Sequence, residues 1–262
     1  MTRNRKEQLL ALVILSLGAC QSTSVKIETG QVSGKNKSPC VYDLLHAARL
    51  DEKNIQHAYD CAVEDASKAE SSEISNTLHP ITSREDLVVA HWARLPPKDG
   101  NDALRAGNHF RPNWDIWVTL VPDFQKFCTS LPSDIKDTGK LTLRLEQLLG
   151  LPPNNGKIRI VHMRVHPSDL FRPCPDPEVT DTHCDLKYPD GVTPDHRVWL
   201  DKVRSNTYSP PKAYPFTALG YTYDWGNLET KVGLSEYLIK QDSEVIVESV
   251  ATTEEYCHSK AH

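Results

Sequence analysis

The sequence predicts an α+β fold, with helices mainly in the earlier part of the chain and an antiparallel or mixed sheet mainly in the later part. After residue 38, apolar residues first recur at helical spacing, whereas strand-forming runs dominate the last third. Of the 262 residues, 39% are hydrophobic and 25% are charged. This composition excludes a polytopic membrane protein and a mostly disordered chain.

The charge balance argues against nucleic acid as a partner. The 30 Lys and Arg residues face 35 Asp and Glu residues, so the formal net charge is −5. The sequence also lacks a phosphate-binding loop, a dinucleotide fingerprint, a nucleophile elbow and an H-E-x-x-H helix. We therefore predict no cofactor and no metal site, and leave open whether the protein is an enzyme.

The N-terminus has the three parts of a secretory signal. A basic stretch, Met1–Gln8, precedes the apolar run Leu9–Leu17, and small residues follow. The run is too short to span a bilayer comfortably. The alternative is a buried N-terminal helix, which would pack poorly because residues 21–24 are polar.

The end of this segment, Leu17-Gly18-Ala19-Cys20, resembles the lipobox of bacterial lipoproteins. The resemblance covers the signal alone, and implies that residues 1–19 are removed and that Cys20 is lipidated. Because Gln21 rather than Asp follows the cysteine, it further implies sorting to the outer membrane. We expect residues 20–38 to be a flexible tether and residues 39–262 a single domain in the periplasm or at the cell surface. The alternative is a secreted protein with Cys20 in the discarded signal.

Helices are predicted first in the domain. The spacing predicts a helical hairpin over 39–70, with Asp51 capping its second helix, and a third helix from Ser83 to the residues before Pro96. A strand over 114–121, closed by Pro122, and a helix over 141–149, ended by Gly150, follow.

Strand patterns dominate from residue 157 onward. The alternation over 157–166 is the strongest strand pattern in the chain, and Thr193-Pro194 is typical of a helix start. The remaining predicted strands lie around residues 219–225, 234–239 and 244–250.

Six cysteines remain when Cys20 is assigned to lipid, and an even number in an exported chain favours disulfides. Metal binding is the weaker alternative because the sequence has no C-x-x-C pair. Of 15 possible connectivities, the bracketed segments favour Cys40–Cys61, Cys174–Cys184 and Cys128–Cys257. We expect a frayed C-terminus after Cys257.

One strand face carries a candidate anion site. His162, Arg164 and His166 alternate on it, opposite an apolar face. The two histidines are about 13 Å apart along a strand, too far to share one zinc ion. The alternative is a half-buried sheet face on which Arg164 pairs with a carboxylate, such as Glu236.

A second group of candidate ligand-binding residues comprises Tyr221, Tyr223, Asp224 and Glu236. Aromatic rings beside carboxylates suit a small ligand, and a packed strand with a solvated carboxylate explains them equally well. We expect an envelope lipoprotein that acts as a non-enzymatic binding or interaction module for an envelope protein or a small anionic ligand. The alternative is an envelope enzyme whose cleft joins the 157–166 strand, the 221–225 segment and Glu236.

Overall fold

A computed structural model describes residues 52–98, 100–136, 140–209, 213–227 and 229–259, all of which belong to one compact unit, Ser38–His262. The predicted signal, the tether, the first helix of the hairpin and Cys40 lie outside the described residues. Within them the fold is α+β, as predicted. No helix in these ranges has both the length and the apolar character needed to cross a bilayer.

The centre of the domain is an antiparallel sheet, to which the described residues contribute seven strands in the order β2-β9-β4-β1-β3-β8-β5. A separate hairpin pairs β6 with β7. The strands are β1 Leu87–Arg94, β2 His109–Phe110, β3 Ile116–Leu120, β4 Lys157–Val165, β5 Leu170–Phe171, β6 Tyr221–Tyr223, β7 Val232–Ser235, β8 Tyr237–Ile239 and β9 Val245–Thr252.

Strand β1 corrects the prediction of a third helix from Ser83. It pairs with β4 along its whole length and with β3 at Val89–Leu120 and Ala90–Thr119. Its run Leu-Val-Val-Ala-His-Trp-Ala is apolar on both faces because other parts of the fold cover each face of the strand. In the sheet, β1 also has a neighbouring strand on either side. A strand of this kind shows no alternation, and its short apolar run resembles a buried helix.

The helices are α1 Glu52–Ala66, α2 Val121–Ser130, α3 Ser133–Lys136, α4 Lys140–Leu148, α5 Pro194–Thr207 and α6 Thr253–His258. As predicted, α4 is followed by Gly150 at a φ of 61°, and Thr193 caps α5. Helix α2 was not predicted: Pro122 follows the end of β3 and lies in the first turn of this helix.

The C-terminal segment adds a helix that was not predicted. Residues after β9 form α6, which starts with a capping box between Thr252 and Glu255, and the residues from 260 onward lie outside the described ranges. Tyr256 and Cys257 are buried in a core with α2, α4, Trp92 of β1 and Ile160 of β4. Helices α2, α4 and α6 therefore cover one face of the sheet.

The opposite face of the sheet carries a second core, built from the alternate residues of β1, β3, β4, β8 and β9 and from loop residues such as Ile81 and Val179. Helix α1 packs on the hairpin through contacts with Tyr223 and Trp225, and α5 packs near Trp117 and Phe216. These contacts leave space beside the sheet between α5 and the hairpin.

Disulfide bonds join two of the predicted pairs, Cys128–Cys257 and Cys174–Cys184. The first links α2 to α6 and closes a loop with a sequence separation of 129 residues. Cys61 in α1 is also disulfide-bonded, and its predicted partner, Cys40, lies outside the described residues.

Candidate functional site

A cleft of about 430 Å³ lies between α5, the hairpin and the helix-covered face of the sheet. Its walls are largely aromatic and aliphatic, and a few polar side chains reach into it. The lining residues are His91, Trp117, Leu149, Gly150, Leu151, Lys157, Val203, Asn206, Thr207, Tyr214, Pro215, Phe216, Tyr221, Thr222, Tyr223 and Glu236. This combination of apolar walls and few polar groups is typical of small-molecule sites.

Glu236 occupies a special position in the topology. It is the single residue between β7 and β8, at the point where the chain passes from the hairpin into the large sheet. Its backbone N–H donates to the Gly220 carbonyl at 3.0 Å. Because β8 alternates, and Tyr237 and Ile239 belong to the loop-side core, the Glu236 side chain points toward the cleft.

The Glu236 carboxyl group has no partner among the residues that the structure describes. Within these ranges it forms neither a hydrogen bond nor an ion pair. The side chain is partly exposed and lines the cleft, and burial raises its pKa from 4.5 to about 8. At neutral pH the group is therefore mostly protonated and able to donate as well as accept a hydrogen bond.

His91 lies where β1 and β3 separate. The pairing of these strands ends at Ala90–Thr119, and beyond it the His91 Nδ1 lies 2.9 Å from the Trp117 carbonyl oxygen. Because a carbonyl only accepts, Nδ1 carries the proton and Nε2 presents a lone pair. Burial, with Lys157 next in importance, lowers the pKa of His91 to about 4, so the ring is a neutral acceptor at physiological pH.

Lys157 is the third ionisable group of the cleft. It begins β4, and its Nζ donates to the Trp92 carbonyl at 2.5 Å. No carboxylate in the described ranges pairs with it. Burial and the nearby Arg94 charge lower the pKa of Lys157 to about 8.

A small chamber of about 70 Å³ adjoins the cleft and shares several lining residues with it, among them His91, Trp117, Lys157, Thr222 and Glu236. The chamber also contains Thr119, whose buried Oγ1 has no hydrogen-bond partner within the described residues. A chamber of this size holds a water molecule or a small polar group of a ligand.

The predicted anion face of β4 lies outside this cleft. Arg164 pairs with Glu248 of the neighbouring β9 rather than with Glu236. His166 accepts a hydrogen bond from the Ser168 backbone and caps a short 3-10 helix, Pro167–Asp169. The His162 ring packs edge-on against Tyr256, at a centroid distance of 5.3 Å. Only Lys157, at the start of this strand, reaches the cleft.

The second predicted group is divided between the cleft and its surroundings. Tyr221 and Tyr223 line the cleft, and their hydroxyl groups donate to the Glu73 carbonyl and to Asp65 at 3.0 and 2.5 Å. Asp224 is buried outside the cleft and accepts two hydrogen bonds from Arg144, at 2.8 and 2.6 Å. Tyr221, Tyr223 and Glu236 therefore converge, whereas Asp224 stabilises the fold.

Among the lining residues that sequence reasoning missed are His91, Lys157 and Trp117. His91 was assigned to a helix, and Trp117 was read only as a strand former. A usable signal was present: His91 and Lys157 each place an ionisable side chain in or beside an apolar strand run. Such buried titratable groups are enriched at functional sites.

Comparison of the chain with protein-family models, with curated proteins and with solved structures finds no match.

Proposed function

We propose that this protein is a bacterial envelope lipoprotein whose folded domain binds a small molecule in the Glu236 cleft. The observation that carries the proposal is the Glu236 carboxyl group, which lies at the inner end of an aromatic cleft without a partner in the described protein. The Glu236 side chain is mostly but not fully buried, so its carboxyl group has lost contact with water without gaining a partner in the described residues, which is unfavourable. A ligand that supplies the missing partner removes this penalty.

The chemistry of the cleft favours a ligand with a cationic amine on an apolar body. An ammonium group would neutralise the Glu236 carboxylate and would also be attracted to the faces of Trp117, Tyr214 and Phe216. The apolar body would pack against Leu149, Leu151 and Val203.

Three indole compounds separate charge from shape, namely tryptamine (cation), tryptophol (neutral) and indole-3-propionate (anion). We expect isothermal titration calorimetry to show that tryptamine binds more tightly than tryptophol. Glu236→Gln should weaken tryptamine binding by about tenfold or more, because a charge-assisted hydrogen bond is lost. Glu229→Gln, the same change at an exposed site, is the matched control. Equal affinities of tryptamine and tryptophol, or of both variants for tryptamine, would exclude this cation site.

The pH dependence gives a second test of the same interaction. An ammonium group selects ionised Glu236, so binding releases a proton below the free pKa of about 8. Tryptamine affinity should therefore rise from pH 6 to pH 8 and then level off. Titrations in buffers of different ionisation enthalpy measure the released proton directly, and a binding reaction that releases none contradicts the assignment.

Anchoring at Cys20 is the second part of the proposal, supported by the sequence Leu17-Gly18-Ala19-Cys20. Two or more acyl chains hold a protein stably at a membrane, whereas one gives only marginal binding. Cys20→Ala should release the protein from the membrane fraction and remove the acyl mass from the N-terminus. Unchanged fractionation together with an unchanged N-terminal mass would rule out lipidation.

Acid–base catalysis is a second candidate, favoured by the opposite pKa shifts of Glu236 and His91 in one cleft. Glu236 keeps a proton at neutral pH, while the His91 Nε2 is free to accept one. Under this candidate, hydrolysis of aryl esters or aryl amides should be lost in both Glu236→Gln and His91→Gln. Residual hydrolysis that both variants retain would assign the activity to another site.

A further inference from the structure

A second cavity, of about 370 Å³, adjoins the cleft at His91 and Lys157, which line both. The wall of this second cavity is formed by the end of β1, by loop residues between 95 and 104, and by Trp114. Lys157 therefore lines two cavities beside the end of β1.

This second cavity is rich in cations. Arg159 donates to both carboxylate oxygens of Asp102, at 2.6 and 2.9 Å, so this pair is neutral overall. Arg94 and Lys157 have no such partner. In the described part of the chain, neither forms an ion pair, and the Arg94 side chain is exposed.

The strand register makes the placement of Arg94 beside Lys157 unfavourable for the protein alone. Arg94 on β1 is the cross-strand partner of Lys157 on β4, and like charges directly opposite each other destabilise a sheet. The Arg94 charge also contributes to the lowered pKa of Lys157. Violations of a local rule without a compensating contact are typical of functional sites.

We propose that Arg94 and Lys157 form a binding site for an oxyanion, a carboxylate or phosphate group carried by an organic molecule. The guanidinium group of Arg94 has the geometry to bind two oxygens of such a group, and Lys157 has donors left after its bond to the Trp92 carbonyl.

The apolar wall indicates that the oxyanion belongs to a larger molecule. Leu95 and Trp114 line the same cavity and are 69% and 47% exposed. Trp114 stacks on Phe110 at a centroid distance of 6.3 Å, which holds its ring in place. A carboxylate or phosphate on Arg94 and Lys157 would bring its organic body against these side chains.

The probes are indole-3-propionate and phenyl phosphate, with tryptophol as the uncharged reference. We expect at least one anion to bind more tightly than tryptophol, and its affinity to fall about tenfold or more in Arg94→Gln and Lys157→Met. The better probe identifies the oxyanion. Arg84→Gln, an exposed arginine outside the cavities, is the matched control. Two results would overturn the site: neither anion binds more tightly than tryptophol, or Arg94→Gln binds the anions as well as Arg84→Gln.

Two variants guard against a loss of binding that is caused by misfolding. Lys157→Arg keeps the charge and should retain the anion affinity within about threefold. Arg94→Gln changes an exposed side chain and should leave the fold intact. NMR of the Lys157 side chain supplies an independent readout, since a bound anion must raise the pKa of Lys157 above about 8. An unchanged pKa at saturation contradicts contact with Lys157. The proposed oxyanion site depends on Arg94 and the second cavity. The anion test can therefore fail while tryptamine still binds at Glu236, and tryptamine binding can fail while the anion still binds.

Discussion

Asp224 and Glu236 are twelve residues apart in the chain, and both hold a carboxyl group inside the protein. Asp224 accepts two hydrogen bonds from Arg144 and one from the Gly226 backbone at 3.0 Å. Glu236 has no partner in the described residues and faces a cleft. The comparison shows that two carboxyl groups of one segment differ in their partners. Asp224 has its hydrogen bonds satisfied within the fold, and the lack of such bonds at Glu236 is the reason for proposing a ligand there.

The largest expected effect is on the paired carboxylate. Asp224→Ala leaves Arg144 and the Gly226 N–H without an acceptor, and we expect the free energy of unfolding to fall by about 3 kcal/mol or more. Urea denaturation measures this loss. A loss below about 1 kcal/mol would mean that the pair behaves as an exposed one, and the contrast with Glu236 would disappear.

Glu236→Gln should have the opposite sign and should depend on pH. The folded protein holds the Glu236 proton up to a pKa of about 8, whereas the unfolded chain releases it near 4.5. Between these values ionisation therefore destabilises the folded state as pH rises, by up to about 1.4 kcal/mol per pH unit. Glu236→Gln cannot ionise and so avoids this loss. Its free energy of unfolding relative to the unchanged protein should therefore rise from pH 5 to pH 8, to about 2 kcal/mol once solvent screening in the open cleft is taken into account.

Urea denaturation of Glu236→Gln and Glu229→Gln at several pH values provides the measurement and its control. An advantage of Glu236→Gln that is independent of pH would show that the carboxyl group is not the cause. An advantage that reverses above pH 8 would show that ionised Glu236 has a partner.

His91 sharpens the comparison from the other side of the cleft. Its folded pKa of about 4 lies below the usual 6.5, so protonation favours the unfolded chain as pH falls through this window. We expect the unchanged protein to lose about 1–2 kcal/mol between pH 6.5 and pH 4 through this group, and His91→Gln to lose less. Thermal melts at pH 4.5 and 7 test it, and parallel losses in both proteins would contradict it.

The smallest effect is expected for the predicted anion face of β4. Arg164 and Glu248 form an ion pair with side chains 43% and 28% exposed, so Arg164→Ala should change stability by less than about 1 kcal/mol. Binding of indole-3-propionate should also be unchanged, because Arg164 lines neither cavity. A weaker affinity of Arg164→Ala for indole-3-propionate would instead support an anion site on the β4 face, as the sequence suggested.

Prediction from sequence succeeded where a pattern has one physical cause. Strand β4 buries one face and alternates, and Thr193-Pro194 supplies both a cap and a preset backbone angle. It failed for β1, which is apolar on both faces because neighbours cover each of them. The error also hid His91, whose position in the cleft depends on the separation of β1 from β3.

The candidate site was predictable only in part for the same reason. Tyr221, Tyr223 and Glu236 were recognised from their types in one short stretch. Lys157 joins them because β4 runs past β1, and Trp117 joins them because β8 pairs with β3. Contacts of this kind follow from tertiary pairing, which the local pattern does not contain. For Arg164, the sequence left open an anion site or a pair with a carboxylate, and it could not identify Glu248 as the partner because that residue lies 84 positions away in sequence.

The bond between Cys128 and Cys257 has a consequence for how the protein matures. A chain that enters an oxidising compartment N-terminus first exposes Cys128 together with Cys174 and Cys184 before Cys257 arrives. Oxidation at that stage can join Cys128 to Cys174 or Cys184, whereas the finished protein pairs Cys174 with Cys184 inside the loop that Cys128 and Cys257 close. Cys128 must therefore remain reduced until the end of the chain is present, or be released from a wrong partner by thiol–disulfide exchange, which takes seconds to hours. In an exported chain, a catalyst of disulfide exchange would therefore be expected to speed the formation of the Cys128–Cys257 bond.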